Sequence, residues 1–303
     1  MAAFPHRLSG PELWAWRSQA QAQARAYQID PAEVDWYLQG LCEVTPLDLR
    51  LGTLAQQSFV PAQVSWSDFQ SRWQQRVRDR VPIQHLVGQT TWRNLTLTVS
   101  PDVLIPRPET ELIIDLVVSQ LHHSPQGSAD RQGVWADLGT GSGAIALGLA
   151  QALPQATILA VDISESALAI ARQNAAAHGL SSRIQFLQGS WFEPLPRQAQ
   201  LAGLVSNPPY IPQAVVSTLA PEVAAHEPHI ALDGGADGLE ALRHLAQRGP
   251  DHLQPGGLWL VELMQGQAAA VMDLLHATQA YEHGQIVRDL AGIERFVLTH
   301  RRG

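Results

Sequence analysis

The chain has no lysine; all 20 of its basic residues are arginine. A nucleotide-binding loop of Walker type needs a lysine beside its glycines, so that class is excluded. The single cysteine, Cys42, excludes an internal disulfide framework and a cysteine-rich zinc site. Within Leu38-Gln39-Gly40-Leu41-Cys42 it is expected to be a small buried hydrophobe. No apolar run approaches membrane-spanning length. Met1 to Gln19 mixes Pro, Arg and Glu and lacks a signal-peptide core, so no membrane partner is expected and the cytoplasm is the expected location. Charge is sparse too. Charged residues make up 16% of the chain and the net charge is −8, so attraction to a polyanion is not favoured across the molecule. Direct sequence-specific binding of nucleic acid is not expected. Internal repeats and low-complexity tracts are also missing.

What is present describes a globular protein. Apolar residues make up 45% of 303, enough for one large or two ordinary domains. Residues 1–80 read as short helices, a candidate substrate-docking domain. Leu13, Trp14, Trp16, Ala20, Ala24 and Tyr27 begin an apolar stripe. Asp30-Pro31-Ala32-Glu33 is a start signal with Asp30 as cap, and Ser67 is the expected cap of a last helix carrying Phe69, Trp73 and Val77. This segment holds five of the nine tryptophans, which either anchor a partner or fill a bundle core.

Residues 81–104 read as a β-hairpin linker, with alternation through Trp92, Leu95, Leu97 and Val99 and a turn at Arg93-Asn94. Pro106 and Pro108 stop the extended run, and Glu109-Thr110-Glu111 opens a helix through Leu112, Ile113, Leu116 and Val117. Ser124 to Gly133 is polar and is expected as a surface loop. From Val134 strands and helices alternate to the end, which predicts a doubly wound, parallel, helix-covered sheet over 105–303. On that architecture ligands bind at the carboxyl ends of the strands.

Two stretches at such ends carry the chemistry. Asp137-Leu138-Gly139-Thr140-Gly141-Ser142-Gly143 turns the first strand of the series into its helix, and Asp162 ends the second strand. Glycines let the backbone approach a ligand, and a carboxylate in that place can accept both hydroxyls of a ribose. A dinucleotide fingerprint would need glycine at position 144, where the chain has Ala144. Asp137 is a poor neighbour for a pyrophosphate and a good one for a cation. The pattern therefore favours S-adenosylmethionine, a cationic cofactor without phosphate, over NAD. Trp191 either stacks on the adenine or packs in the core.

The second stretch is Ser206-Asn207-Pro208-Pro209-Tyr210, after the apolar run Leu201 to Val205. Two prolines fix their own φ and push Asn207 toward extended geometry, giving a stiff unit with an amide, freed carbonyls and an aromatic ring. Such a unit suits a planar NH2-bearing group: a base or an amide.

Taken together these motifs resemble the HemK/PrmC methyltransferases, from about Arg80 to the end. Leu104-Ile105-Pro106-Arg107-Pro108-Glu109-Thr110-Glu111 is similar to the family's signature, and Asp289-Leu290-Ala291-Gly292-Ile293-Glu294-Arg295 to its C-terminal motif. The resemblance implies a Rossmann-like S-adenosylmethionine-dependent methyltransferase domain preceded by a small helical bundle and the hairpin. It also implies methylation of the side-chain amide nitrogen (N5) of the glutamine in the Gly-Gly-Gln motif of class 1 peptide chain release factors. Gly139, Thr140, Gly141, Ser142, Gly143, Asp162, Trp191 and Asn207 match cofactor positions. Asn207, Pro208, Pro209 and Tyr210 match substrate positions, with Asn207, Pro208 and Tyr210 in the catalytic role. An adenine-N6 methyltransferase is the alternative, because an exocyclic amine poses the same problem. The chain departs from the family at Glu262-Leu263-Met264, where Glu-Ile-Gly is common, and at Ser190, where an acid often precedes the tryptophan.

Overall fold

A computed structural model describes residues 4–123, 130–196 and 200–303. The chain divides into two compact units, Met1–Gln89 with Pro221–His226, and Thr90–Ala220 with Glu227–Gly303. Of the expected loop at 124–133, residues 124–129 lie outside the described residues.

The first unit is built on helices Gly10–Ala26, Ala32–Leu41, Pro46–Leu51, Trp66–Asp79 and Ile83–Val87. Its core gathers aromatic rings in tilted and edge-to-face pairs, the geometry that ring quadrupoles prefer. Trp16 meets Phe69 at 4.7 Å between centroids and Trp73 at 5.6 Å. Polar ends of these rings are satisfied: Tyr37 donates its hydroxyl to the Phe69 carbonyl, and Trp73 Nε1 to Gln23. Trp16 and Trp73 are thus core residues, with Trp14, Trp36 and Trp66 packed at its margin. Cys42 is buried as expected, and burial pushes its thiol up to about 12.

Three local features differ from expectation. Ser65 caps the Trp66–Asp79 helix and accepts from the Asp68 backbone, while Ser67 lies inside the first turn. The helix starts early because Ser65 has the extended backbone of a cap. Asp30 accepts from the Ala32 amide, so that helix begins one residue later than read. Strands β1 (His6–Leu8) and β2 (Val60–Ala62) pair antiparallel, and three residues are too few to show alternation in the sequence.

Arg76 sits in this unit with only 4% of its surface exposed. It grips both oxygens of Glu33 at 2.6 and 2.9 Å and donates to Glu222 at 2.9 Å. Arg80 pairs with the same Glu222 carboxylate, and the His226 ring meets the Asp79 carbonyl. A hexapeptide far along the chain is therefore part of the helical unit.

The second unit opens with the hairpin of β3 (Gln89–Trp92) and β4 (Leu95–Thr98), turned at Arg93 with positive φ. Its sheet comprises β5 (Val134–Leu138), β6 (Thr157–Asp162), β7 (Ile184–Gln188), β8 (Leu201–Ser206), β9 (Leu253–Glu262), β10 (Tyr281–Arg288) and β11 (Glu294–Arg301). The order is β10-β11-β9-β8-β5-β6-β7. β5, β6, β7, β8 and β9 pair parallel, whereas β11 runs antiparallel to both of its neighbours. That one strand departs from the all-parallel expectation because only a short loop separates it from β10, and a parallel partner would need a long crossover. Helices Leu112–His123 and Ala144–Ala152 contribute Ile113, Val117, Ile145 and Leu149 to the core of one face. Helices Glu240–Arg248 and Ala268–Thr278 contribute Leu242, Leu245, Val271 and Leu275 to the other. Gly203 in β8 pairs with Trp135 in β5, and a Cβ there would lie 2.1 Å from the indole ring. No described helix is long and apolar enough to cross a membrane.

Candidate active site

β5 lies between β6 and β8, so the strand order reverses there and opens a crevice at the carboxyl ends. The glycine loop follows β5. Gly139, Gly141 and Gly143 all take positive φ, and Gly143 starts the helix Ala144–Ala152. The amides of Gly139 and Thr140 both donate to the Val161 carbonyl of β6. Asp137 lies beneath the loop, fully buried, where one oxygen accepts from the Thr140 hydroxyl at 2.6 Å and from the Ala146 amide at 3.0 Å. Among the described residues its other oxygen, Oδ1, has no hydrogen-bond partner, and burial pushes the carboxyl up to about 7. The Thr140 hydroxyl is therefore committed to Asp137, and the Ser142 carbonyl to the Asn174 side chain at 2.9 Å. Asn174 also exchanges two bonds with Thr98 of β4, tying the hairpin to the loop.

Asp162 closes β6 beside the loop. Its oxygens accept the Gly141 amide at 2.8 Å and the Ser164 amide at 2.9 Å. A carboxylate oxygen can accept more than one bond, so capacity for two hydroxyls remains. Burial raises the carboxyl above its ordinary value, opposed by these backbone donors. Trp191 sits after β7 with a left-handed backbone, φ +48°, and its ring would lie 3.7 Å from a Cβ on Gly139. The arrangement suits a cofactor with a ribose, an aromatic base and positive charge: a flat ring, a carboxylate, and an open backbone around Gly141 with no atom near a Cβ placed there.

Asn207-Pro208-Pro209-Tyr210 follows β8, the strand next to β5. The Asn207 amide nitrogen donates to Thr110 Oγ1 at 3.2 Å, and Thr110 donates to Glu262 Oε2 at 2.6 Å. Tyr210 donates its hydroxyl to Glu262 Oε1 at 3.0 Å. Among the described residues, no donor reaches Asn207 Oδ1 or the Pro208 carbonyl. Burial raises the Tyr210 phenol, and the neighbouring Glu262 carboxylate adds to the shift. Pro208 is buried, while Asn207, Pro209 and Tyr210 are half-buried. Gly234 packs so closely that a Cβ would meet the Pro209 carbonyl and Tyr210 Cα at 2.8 Å. Gln267 donates to the Tyr210 carbonyl at 2.8 Å and accepts from the Met264 amide. Met264 thus meets this shell through its backbone.

The two end motifs serve as brackets. Trp92 donates to the Arg107 carbonyl, Arg107 pairs with the buried Glu227 at 2.6 Å, and Glu111 accepts the Arg93 amide. Asp289 is held below the usual carboxylate range by Arg295, which donates to it at 2.8 Å, and by the Ile293 and Ala291 amides. Sequence reasoning put Thr110 and Glu262 in motifs without giving them partners, and it missed Gln267, Asn174 and Gly234. One signal was available: Glu262 is an acid at the end of the apolar run Leu258 to Val261.

Residues 115–236 match a family model described as the methyltransferase small domain. A release factor glutamine methyltransferase of Synechocystis sp. is 52% identical, with 96% of each chain covered. One of Thermosynechococcus vestitus is 45% identical over 96% of this chain and 99% of that one. The fold is also similar to a methyltransferase from Pyrococcus furiosus, with a TM-score of 0.51 and 18% identity over 78% of this chain and 100% of that one. Full-length likeness of this degree, joined to a methyltransferase sheet, settles membership: the chain belongs to the release factor glutamine methyltransferase family.

Proposed function

We propose that this protein transfers a methyl group from S-adenosylmethionine to the side-chain amide nitrogen (N5) of the glutamine in the Gly-Gly-Gln motif of class 1 peptide chain release factors. One observation carries the reading: the Asn207-Pro208-Pro209-Tyr210 acceptor stands at the carboxyl end of β8, next to β5 and its glycine loop. The names of the full-length relatives support the same substrate. The reaction belongs in the cytoplasm, where translation terminates, and the helical unit is the candidate docking domain for the release factor.

When bound, the cofactor supplies an electrophilic methyl on a sulfonium. On this reading Asp162 would accept its ribose hydroxyls, Gly139 to Gly143 would let it approach the backbone, and Trp191 would stack on its base. An amide nitrogen is a weak nucleophile because its lone pair is delocalised into the carbonyl. Asn207 Oδ1 and the Pro208 carbonyl accept the two amide hydrogens, which aims the nitrogen and stabilises the positive charge that grows on it. Paired prolines hold these acceptors with little reorganisation, and Tyr210 packs the flat amide. Charge moves from sulfur to nitrogen as the sulfur–methyl bond breaks and the thioether leaves, and the methylated nitrogen then gives one proton to water, so neutral acceptors suffice and no strong base is needed.

The test is incubation with labelled cofactor and purified release factor, wild type beside a Gln→Ala variant in its Gly-Gly-Gln loop. Label on the wild-type factor alone is expected. Equal label on both would defeat the glutamine assignment, and label on adenine in an oligonucleotide instead would point to the adenine-N6 alternative.

A further inference from the structure

Behind Asn207 stands a buried carboxylate to which the reaction as described gives no task. Glu262 closes β9 with 1% of its surface exposed, and each oxygen accepts one hydroxyl: Thr110 on Oε2 at 2.6 Å, Tyr210 on Oε1 at 3.0 Å. Arg295 faces it from β11 and favours its charged form, while Glu109 opposes. Burial raises its pKa against the two hydrogen bonds.

We propose that Glu262, acting through Thr110, is the positioning residue that fixes which end of the Asn207 side-chain amide faces the methyl acceptor. This rests on the reading of Asn207 as the acceptor of the substrate N–H. A primary amide has an oxygen end and a nitrogen end of nearly the same shape, so packing alone selects between them poorly. Hydrogen-bond polarity does select. A threonine hydroxyl has one proton, and here Glu262 takes it at 2.6 Å. Toward Asn207, Thr110 Oγ1 can then only accept, which turns Nδ2 inward at 3.2 Å and leaves Oδ1 for the acceptor. With the amide reversed, an NH2 would face the NH2 of the substrate, donor against donor. The same carboxyl group holds Tyr210, so one buried side chain orients two members of the acceptor tetrapeptide.

Thr110→Val keeps the shape of the side chain and deletes the relay; Thr110→Ser keeps the relay. Each is compared with wild type for kcat on the release factor, cofactor Kd by calorimetry, and the exchange rate of the Asn207 side-chain amide protons by nitrogen-15 NMR, the resonance being assigned by its loss in Asn207→Ala. We expect Thr110→Val to lower kcat roughly 10- to 100-fold, with Kd changed less than about threefold. Thr110→Ser should stay near wild type, and the slowed exchange of the Asn207 amide should disappear only in Thr110→Val. Glu262→Gln, whose NH2 can donate to Thr110 and reverse the relay, should lose as much kcat as Thr110→Val. Wild-type kcat in Thr110→Val would overturn the proposal, as would equal losses in both threonine variants with lowered melting temperatures. If the wild type itself does not methylate the release factor, the functional reading fails and the exchange measurement decides this one alone: slow exchange persisting in Thr110→Val overturns it.

Discussion

The Ser206 hydroxyl donates to the Leu138 carbonyl at 2.6 Å. This bond joins the ends of β8 and β5, and with them the residue before Asn207-Pro208-Pro209-Tyr210 and the residue before the glycine loop. Ser206→Ala leaves a buried carbonyl without that donor, at a cost of about 1–3 kcal/mol. A lower urea midpoint is expected, with a rate reduced about tenfold through misalignment of the two loops. An unchanged midpoint and rate would show that the bond matters to neither.

Asn207→Ala is expected to reduce the rate far more than cofactor affinity if, as proposed, its Oδ1 accepts from the nucleophile. Steady-state kinetics beside calorimetry separates the two, and equal losses would mark Asn207 as merely structural. Asn207→Asp adds a charge while keeping the shape. It should hold the cofactor at least as well and still lose rate, since the nitrogen that donates to Thr110 is gone.

Asp162→Ala removes the acceptor of the Gly141 and Ser164 amides together with the proposed ribose contact. Cofactor affinity should fall roughly 10- to 100-fold, the worth of one to two charged hydrogen bonds. Calorimetric titration reads this directly, and a wild-type Kd would remove Asp162 from the cofactor site.

Asp137 predicts a pH dependence. Its carboxyl rises from an ordinary 3.8 to about 7 in the folded chain. Between those values the folded state keeps a proton that the unfolded chain has released, so this group's contribution to stability falls as pH rises. Asp137→Asn abolishes that trend. Subtracting its urea-denaturation profile from that of wild type should give a difference that declines from pH 5 to pH 7.5, and a flat difference would refute the buried-acid account.

The sheet, the glycine loop and the stiff Asn207-Pro208-Pro209-Tyr210 unit after β8 were legible because each is a local pattern: alternation of elements, glycines at a strand end, paired prolines. Trp191 and Asp162 were placed by their spacing from strand ends, and both flank the loop. What stayed hidden depends on distant pairs. Thr110 and Glu262 lie 152 positions apart, and nothing near either residue names the other. The reversed strand β11 carried a readable signal, the short stretch between Arg288 and Glu294 that is too brief for a parallel crossover, although the apolar run itself reads alike in both directions. The cap at Ser65 was missed because Ser67 satisfies the same rule two positions later. At Met264, the departure from the family's glycine, the observed contact runs through the backbone.

The hexapeptide Pro221–His226 makes the helical unit discontinuous in sequence. Its buried Arg76 finds Glu222 across 146 positions. A chain leaving the ribosome therefore cannot finish its first domain before starting its second. Glu222, the last charge partner of Arg76, emerges after the glycine loop, Asp162 and Asn207-Pro208-Pro209-Tyr210 but before β9, β10 and β11, so the helical unit is completed while the second is already under way.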